Sequence, residues 1–392
     1  MKIKTFIGIM FFLLLIWGNL VSQGLEVKSC EMTAISDNSQ NALAVQKALD
    51  KLTQNQIPGA VAGVLNRDGI LQIWSSGYAS IEEPVPMESC HLHYIQSIAK
   101  TYMAVSILQL WEEGRLDLDK TIEEYLPVSL SVQIPNASKV SIRMLLNHTS
   151  GIPEYNNDPN YVTNLLQNPQ RIFEPEEYLK YIKRKKPDFE PGSKYSYRNS
   201  NYLILALIAE YITRDHQAYM QEKIFKPLGL LDTHYRIRQG NDFGQRLVQS
   251  YWDRYSNNQL ENISVLQNSN VASMIGDDGI ITTSKEALLF LKGLMEGKLI
   301  NSKTLEMMKE PVFNSKGLPA YGLGISFTKF SGIPALGHSG GGLGSGSQLY
   351  FFPDKQLYIF LAINLGTVTE SPIHVEAEKI LEEIYSILLS SD

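Results

Sequence analysis

The sequence predicts a mixed α/β (α+β) protein of two domains, with an antiparallel sheet flanked by helices and an inserted all-α domain. Three observations predict this class. Strand and helix patterns alternate near both ends of the chain, helical patterns with Pro-Gly breaks fill its middle, and 392 residues exceed the size of most single cores. We therefore expect a discontinuous α/β domain, residues 35–110 and 265–390, that encloses a helical domain, residues 111–264.

The first segment of the chain has the pattern of a secretory signal peptide. Lys2 and Lys4 are followed by an apolar stretch, residues 6–18, and then by small or polar residues. The stretch is shorter than the roughly 20 residues of a membrane-spanning helix, although an uncleaved membrane anchor is the alternative. We expect residues 1–23 to be removed and the mature protein to be secreted, most simply into a bacterial periplasm, without stable membrane insertion.

The composition excludes several classes of partner. Hydrophobic residues make up 44% of the chain and charged residues 19%, which is usual for a globular protein. Without Lys2 and Lys4, 33 basic residues face 41 acidic ones, so we expect neither nucleic acid nor an anionic membrane surface as a partner. Two cysteines do not suffice for a cysteine-rich zinc site.

The two cysteines, Cys30 and Cys90, are able to form a disulfide in an oxidising compartment. Closing this loop would stabilise the fold by at most about 4 kcal/mol on the chain-entropy model. Two unpaired thiols are the alternative. Because Cys90 lies seven positions before Ser97, a disulfide there would hold the entry to the candidate site described below and would take no part in its chemistry.

The elements of the α/β domain follow from hydrophobic periodicity. Residues 42–52 predict a helix, and the apolar runs on either side of residues 67–69 (Arg-Asp-Gly) predict a β-hairpin. Residues 97–113 predict a helix that Gly114 ends. From residue 279 strand and helix patterns alternate again, and residues 375–389 predict a final amphipathic helix.

Ser97 and Lys100 form the first candidate catalytic pair. Residues three apart share a face of a helix, so the Lys100 amine is able to reach the Ser97 hydroxyl. A serine hydroxyl needs a neighbouring base to become a good nucleophile, and burial lowers the pKa of a lysine toward that of a base. An ordinary helix N-cap is the alternative for Ser97. A second match, Ser326 with Lys329, lies in the predicted strand 321–330, where residues three apart point to opposite faces.

Tyr197 and Asn199 lie at a predicted junction between a loop and an apolar helix. A phenol beside a lysine ammonium is expected to have a lowered pKa and to act as a general base and acid. The amide of Asn199 is able to hold a substrate carbonyl. A buried tyrosine with a capping asparagine is the alternative, and the pattern alone favours it.

The stretch GHSGGG, residues 337–342, places His338 among glycines beside a predicted strand. Glycines in a strand allow another backbone to approach, and a substrate is able to pair with such an edge as an added strand does. The N–H groups of Gly341 and Ser97 are candidates for an oxyanion hole. His338 is a candidate donor to a substrate carboxylate or to Tyr197; a glycine-rich turn with a structural histidine is the alternative.

In this order the motifs resemble those of the serine β-lactamase and penicillin-binding-protein superfamily, especially the branch with class C β-lactamases, D-alanyl-D-alanine carboxypeptidases and related esterases. The corresponding pairs are Ser97 with Lys100, Tyr197 with Asn199, and His338 with Gly340. The resemblance spans about residues 35 to 385 and implies a cleft between an α/β and an all-α domain. Further similar segments are residues 112–127, 145–155, 189–210, 224–235 and 276–287.

The resemblance also implies a function. A secreted serine hydrolase of this kind forms an acyl-enzyme on Ser97, with Lys100 and Tyr197 moving protons, and requires no metal ion or organic cofactor. The expected substrate is a D-amino-acid peptide, such as a cell-wall stem, or a β-lactam. A small-ester carboxylesterase and a non-catalytic penicillin- or peptide-binding protein are the alternatives, and the oligomeric state stays open. The residues expected to hold the substrate are Asn199, His338, Ser339 and Gly340.

Two residues depart from the family pattern. Arg198 stands where the branch usually has a small residue, and we expect it to narrow or charge the cleft. His338 stands where class C β-lactamases have lysine. A histidine at this position occurs in some D-peptidases and esterases of the family, which favours those activities over efficient β-lactam hydrolysis. His148 is expected to be structural.

Overall fold

The structure is a computed structural model that describes residues 40–235 and 243–390. These residues contain fourteen strands, numbered in chain order. They are β1 (Gly59–Asn66), β2 (Leu71–Ser80), β3 (Val85–Pro86), β4 (His93–Tyr94), β5 (His234–Tyr235), β6 (Tyr251–Trp252), β7 (Glu261–Asn262), β8 (Ile280–Thr282), β9 (Val312–Phe313), β10 (Pro319–Tyr321), β11 (Ser326–Phe330), β12 (Ile333–Gly341), β13 (Gly346–Phe352) and β14 (Leu357–Ile363).

The same residues contain twelve α-helices: α1 (Gln40–Gln54), α2 (Ala99–Glu112), α3 (Val128–Ser131), α4 (Ile142–Leu146), α5 (Pro159–Gln167), α6 (Asn199–Thr213), α7 (His216–Met220), α8 (Lys226–Leu228), α9 (Ser264–Ser273), α10 (Ser284–Met295), α11 (Ser302–Met308) and α12 (Pro372–Leu389). A π-helical segment, Gln221–Phe225, joins α7 to α8. Short 3₁₀ helices span Gln96–Ile98, Ile122–Glu124, Pro175–Tyr181 and Gly244–Arg246.

Nine strands form one antiparallel sheet in the order β3-β2-β1-β14-β13-β12-β11-β10-β9. Near its centre the sheet joins the two ends of the described chain, because β1 pairs with β14 from Ala60 to Asn66. Both strands are almost continuously apolar and buried, as expected for strands that are covered on both faces. The predicted antiparallel sheet with flanking helices is confirmed.

Alternate residues of β1 enter two separate cores, because successive strand side chains point to opposite faces. Ala62 and Val64 pack in the core that contains residues of α1 and α12. Val61 and Leu65 pack in the larger core with α2, α6 and α10. Gly63 brings α10 close to the sheet, since a Cβ there would lie 3.0 Å from Leu288 Cδ1. The sheet therefore has one face against the terminal helices and the other against α2.

The middle of the chain, residues 111–264, is mainly helical, and its central helix α6 is buried from Ser200 to Ala209. This segment also contains strands. β5 pairs with β8, which also pairs with β4, and β6 forms a hairpin with β7. The segment that was predicted to be all-α therefore also contains short strands, each two residues long. The boundaries of the two predicted domains stay a prediction.

The predicted hairpin and the first and last helices are present as β1–β2, α1 and α12. The stretch predicted as one strand, residues 321–330, instead divides between β10 and β11. Gly324, between them, has a φ of +86°, and a Cβ on it would lie 2.1 Å from Ala104 Cβ. A close approach to α2 therefore interrupts the strand.

Three predictions concern the start of the chain. The signal peptide, residues 1–23, and Cys30 lie outside the described residues. Cys90 is disulfide-bonded, but its predicted pairing with Cys30 stays a prediction. No helix in residues 40–235 and 243–390 is both long and apolar enough to cross a membrane.

Candidate active site

Ser97 lies on the 3₁₀ helix Gln96–Ile98 that leads directly into α2. The N-cap residue of α2 is Ile98, without a side-chain hydrogen bond, so Ser97 does not have the capping role that was its alternative. Because of the helical spacing, Lys100 lies next to Ser97, as predicted. Lys100 Nζ donates a 2.8 Å hydrogen bond to Ser97 Oγ and another, also 2.8 Å, to the backbone oxygen of Asp277.

Lys100 is fully buried, because α2 is enclosed along nearly its whole length. Burial lowers the pKa of Lys100 to about 8, and the negative charges of Asp277, Asp278 and Glu154 oppose that change. Near neutral pH a fraction of Lys100 is therefore unprotonated. A neutral amine within hydrogen-bonding distance of a serine hydroxyl is able to accept its proton.

Tyr197 completes the cluster. The centre of its ring lies 5.1 Å from Lys100 Nζ, and its hydroxyl interacts with the Ser97 side chain. The expected lowering of its pKa by lysine is wrong, because burial raises the pKa of Tyr197 well above the ordinary value. Tyr197 is therefore a neutral phenol, suited to donating and relaying a proton. The ring of His148 packs against it at a centroid distance of 4.3 Å.

Asn199 is the first residue of α6, and the N-cap residue is Arg198. The backbone N–H of Asn199 donates to Glu154 Oε2 at 2.6 Å, so a buried carboxylate satisfies this helix end. The side chain of Asn199 is thus not a cap, and it lines the cleft. The Arg198 side chain does not line the cleft. It forms an ion pair with Asp188 at 2.8 Å. The expectation that Arg198 narrows or charges the cleft is therefore not met by this geometry.

His338 lies on β12 and is only 4% exposed. Its Nδ1 lies 2.6 Å from the Ser339 carbonyl, which only accepts, so Nδ1 carries the hydrogen. Burial, with Lys100 as the second cause, lowers the pKa of His338 to about 3, and the neutral Nε2 accepts from the Tyr321 hydroxyl at 2.8 Å. No ring N–H remains for a substrate carboxylate or for Tyr197, which corrects the expected donor role.

The glycines after His338 bring β12 against the serine. A Cβ on Gly340 would lie 2.2 Å from the Ile95 carbonyl oxygen, next to the turn that carries Ser97. The pairing of β11 with β12 ends at Ser326–Gly337. Within the described chain, the rest of β12 thus has no ladder partner on that side, as the predicted substrate edge requires.

One open cleft of about 630 Å³ is lined by most of the predicted site residues, but not by Lys100, which is fully buried, or by Gly340. Its walls come from five parts of the chain: the turn before α2, the start of α6 with the loop before it, residues 314–328 around β10 and β11, β12, and Tyr350 of β13. Tyrosines, hydroxyl groups and small apolar residues make up the remaining walls. The predicted residues that line it are Ser97, Tyr197, Asn199, His338, Ser339 and Gly341.

The carboxylates around Lys100 were not predicted from the sequence. Asp277 and Asp278 are 1% and 2% exposed, and burial raises their pKa values to about 6 and about 7. Tyr155 donates a 2.7 Å hydrogen bond to Asp277 Oδ2. The signal for them was the Gly-Asp-Asp-Gly run at 276–279, a polar pair between glycines in a segment noted only for its resemblance.

His148 has the structural position expected of it. Its Nδ1 accepts hydrogen bonds from the Arg198 backbone N–H at 3.2 Å and from Asn201 Nδ2 at 3.1 Å. It therefore fixes the backbone beside Tyr197. Among the described residues no group of three or more His, Cys, Asp or Glu side chains is placed to hold a metal ion.

The fold and the contact between Ser97 and Lys100 define a class, that of the serine hydrolases with a β-lactamase-type site. A family model described as Beta-lactamase matches residues 42–378, and the chain belongs to this family.

Comparison with individual proteins agrees with the family. The chain is 25% identical over 328 residues to the penicillin-binding protein PbpX of Bacillus subtilis, covering 79% of this chain and 77% of that protein. It is 26% identical to a D-aminopeptidase of Cereibacter sphaeroides, covering 86% of this chain and 62% of that longer protein. The crystal structure of a D-stereospecific amidohydrolase from Streptomyces sp. matches with a TM-score of 0.72 and 27% identity, covering 86% of this chain and 98% of that one.

Proposed function

We propose that this protein hydrolyses an amide or ester bond of a D-amino-acid derivative through an acyl-enzyme on Ser97. The observation that carries the proposal is the 2.8 Å hydrogen bond between Lys100 Nζ and Ser97 Oγ at the floor of an open cleft. A buried amine in contact with a half-buried hydroxyl activates it as a nucleophile.

In the acylation step, neutral Lys100 takes the Ser97 proton while Oγ bonds to the substrate carbonyl carbon. The resulting oxyanion accepts hydrogen bonds from the N–H groups of Ser97 and Gly341, the proposed oxyanion hole. As the carbonyl carbon releases the leaving group, the leaving nitrogen or oxygen takes the proton of the Tyr197 hydroxyl. Lys100 returns its extra proton to Tyr197, so both groups are neutral again.

In the deacylation step, water attacks the acyl carbon and gives a proton to Lys100 by way of the Tyr197 hydroxyl. When the second tetrahedral intermediate collapses, Ser97 Oγ takes that proton back and the acid product leaves. The raised pKa of Tyr197 supports this assignment, because a phenol that keeps its proton relays it and does not accumulate as phenolate.

The substrate class is supported by the relatives and by the cleft. A D-aminopeptidase and a D-stereospecific amidohydrolase are similar to this chain over 86% of its length. The unpaired edge of β12 offers backbone groups to a peptide-like substrate, and Asn199 offers its amide. We therefore propose small D-amino-acid amides or short D-amino-acid peptides as substrates, including cell-wall stem peptides.

A second candidate is a carboxylesterase that acts on small neutral esters. It is favoured by the state of His338, which is neutral and uses both ring nitrogens within the protein. A substrate carboxylate beside this wall therefore meets no histidine charge. This candidate uses the same Ser97 chemistry and differs only in the leaving group.

The test is a panel of D-amino-acid p-nitroanilides, their L-isomers, D-Ala-D-Ala peptides, nitrocefin and short acyl esters. The proposal expects turnover of D-derivatives that is lost in Ser97→Ala and retained in Ser302→Ala, which removes the hydroxyl of an exposed serine on α11. Mass spectrometry with a fluorophosphonate should place the adduct on Ser97. Faster cleavage of acyl esters than of every D-substrate favours the carboxylesterase, and no Ser97-dependent turnover or adduct favours a non-catalytic binding protein.

We also propose that the protein is exported and acts outside the cytoplasm, most simply in a bacterial periplasm. The support is the pattern of residues 1–23. N-terminal sequencing of the protein from cell fractions tests it. A mature N-terminus near residue 24 in the periplasmic or extracellular fraction agrees with export, whereas an intact Met1 in the cytoplasmic fraction contradicts it.

A further inference from the structure

We propose that the carboxylate of Asp277 is a positioning group that holds the proton on Lys100 between steps of the reaction. The inference rests on the proposed function, in which Lys100 is the base. It adds a residue from a distant segment of the chain to the pair of Ser97 and Lys100.

The loop that carries Asp277 is held tightly against the helical core. It joins α9 to β8, and the glycines on either side of the two aspartates, Gly276 and Gly279, have φ values of +83° and +98°. A Cβ on Gly276 would lie 2.3 Å from the Tyr202 backbone oxygen, so the loop packs directly against α6. The backbone oxygen of Asp277 is thereby fixed on Lys100 Nζ.

The two oxygens of the Asp277 carboxylate have different surroundings. Oδ2 accepts from the Tyr155 hydroxyl at 2.7 Å, and Oδ1 is buried without a hydrogen-bond partner among the described residues. A buried anionic oxygen without a donor costs free energy unless a positive charge lies nearby. Lys100 supplies that charge, because its Nζ donates to the backbone oxygen of the same residue at 2.8 Å and the opposite charges favour each other.

The other titratable groups around Lys100 either form hydrogen bonds with other residues or are uncharged. Glu154 accepts from the N–H groups of Asn199 and Ser200, and Asp278 Oδ1 accepts from the Gly279 N–H at 2.7 Å. His148 and His338 have pKa values lowered by burial first and by Lys100 second, so neither adds a positive charge. The rings of Tyr197 and Tyr202 face Lys100 Nζ as neutral phenols.

The arrangement has a distinctive consequence for pH dependence. Removing the Asp277 charge makes the protonated lysine less stable, so Lys100 gives up its proton at lower pH. The rising limb of kcat/KM then moves to lower pH, whereas the plateau at high pH falls because a weaker base takes the Ser97 proton less well. Loss of packing alone would lower the rate at every pH without moving the limb.

The experiment compares wild type with Asp277→Asn and with Asp354→Asn, an exposed control, in protein labelled with ¹³C at lysine Cε. The Lys100 signal is identified by its absence in Lys100→Arg. We expect Lys100 in Asp277→Asn to titrate lower by about one pH unit or more, and the limb of ester hydrolysis to move with it. Asp354→Asn should change neither. An unchanged Lys100 titration in folded Asp277→Asn overturns the inference.

Two further measurements keep the test decisive. If Asp277→Asn does not fold, Asp277→Ala takes its place, because it removes the same negative charge without placing an amide group in the buried site, so the Lys100 titration should move to lower pH in the same way. A shifted Lys100 titration without any hydrolysis supports the electrostatic pair and counts against the proposed function. Hydrolysis on Ser97 with an unshifted Lys100 titration supports the proposed function and counts against the electrostatic pair.

Discussion

Gly340 and Ile95 are in contact through their backbones: a Cβ on Gly340 would lie 2.2 Å from the Ile95 carbonyl oxygen. This contact joins β12 to the turn that carries Ser97, although the two segments are far apart in the sequence. The distance between the proposed oxyanion donors, Ser97 and Gly341, therefore depends on the absence of one side chain.

Gly340→Ala should separate β12 from the serine turn. We expect kcat/KM to fall about 10²-fold, because displacements near 1 Å in a site cost about that much. Gly332→Ala on the β11–β12 turn is the control: it has open space around it but a φ of +82°, so it should lose stability and keep its activity. Steady-state kinetics and thermal melting measure both. Equal activity of wild type and Gly340→Ala would show that the contact does not set the site.

Lys100→Met should abolish most of the activity, because methionine fills much of the lysine volume but accepts no proton. We expect a loss of about 10³-fold or more in kcat/KM, as for catalytic groups that act as a unit. Lys329→Met is the matched control from the other Ser-x-x-Lys sequence, and it should retain wild-type activity. Comparable losses in both variants, with intact folding by circular dichroism, would argue against Lys100 as the base.

Tyr197→Phe should affect substrates according to their leaving group. Hydrolysis of an amide should slow by about 10²- to 10⁴-fold, the usual range for loss of a general acid. In kcat/KM, which reports acylation, a p-nitrophenyl ester should lose much less, because p-nitrophenolate leaves without being protonated. Deacylation, in which Tyr197 relays the proton of water, enters kcat. The measurement is the ratio of the two rate losses. A ratio near one would assign Tyr197 to positioning and not to proton donation.

The pH profile of kcat/KM should rise through about pH 8, since burial lowers the pKa of Lys100 to about 8 and only its neutral form accepts the Ser97 proton. The value of kcat/KM increases with pH because deprotonation of Lys100 creates the active form. His338 should contribute no inflection near pH 6.5, because burial lowers its pKa to about 3. Profiles with a D-amino-acid amide, at constant ionic strength, test both points. A rate that decreases from pH 7 to 9 in stable protein would contradict this assignment.

Arg198→Ala should have little effect on catalysis, because its guanidinium pairs with Asp188 outside the cleft. The ion pair is partly exposed, and such pairs contribute about 0–1 kcal/mol to stability. We expect KM and kcat within about threefold of wild type and a small decrease in the melting temperature. Asp188→Ala removes the same pair and should show a similar decrease. A large rise in KM in Arg198→Ala alone would place the arginine at the substrate.

The sequence predicted local features of the site better than its electrostatics. The Ser97–Lys100 contact follows from helical spacing, so a short segment was enough to predict it. Only the family resemblance predicted that Tyr197 and His338 lie beside that pair, because nothing in their own segments identifies Ser97 or Lys100 as a partner. Asp277 lies 177 residues from Lys100 and approaches it only through the tertiary fold.

The direction of the Tyr197 pKa shift illustrates what the sequence lacked. A neighbouring lysine favours a lowered pKa, but the depth of burial decides the sign, and burial depends on packing between distant helices. The division of residues 321–330 has the same origin. Gly324 meets Ala104 of α2, so a tertiary contact ends a strand that the local pattern would continue.

The pairing of β1 with β14 also constrains how the chain reaches its native state. Ala60 and Ile363 are register partners about 300 residues apart, and they lie at the centre of the sheet. During synthesis β1 is made long before β14, so the two strands pair only after almost the whole polypeptide has left the ribosome. Such non-local pairing slows folding, so this chain stays unfolded for longer than one whose sheet is closed by neighbouring segments.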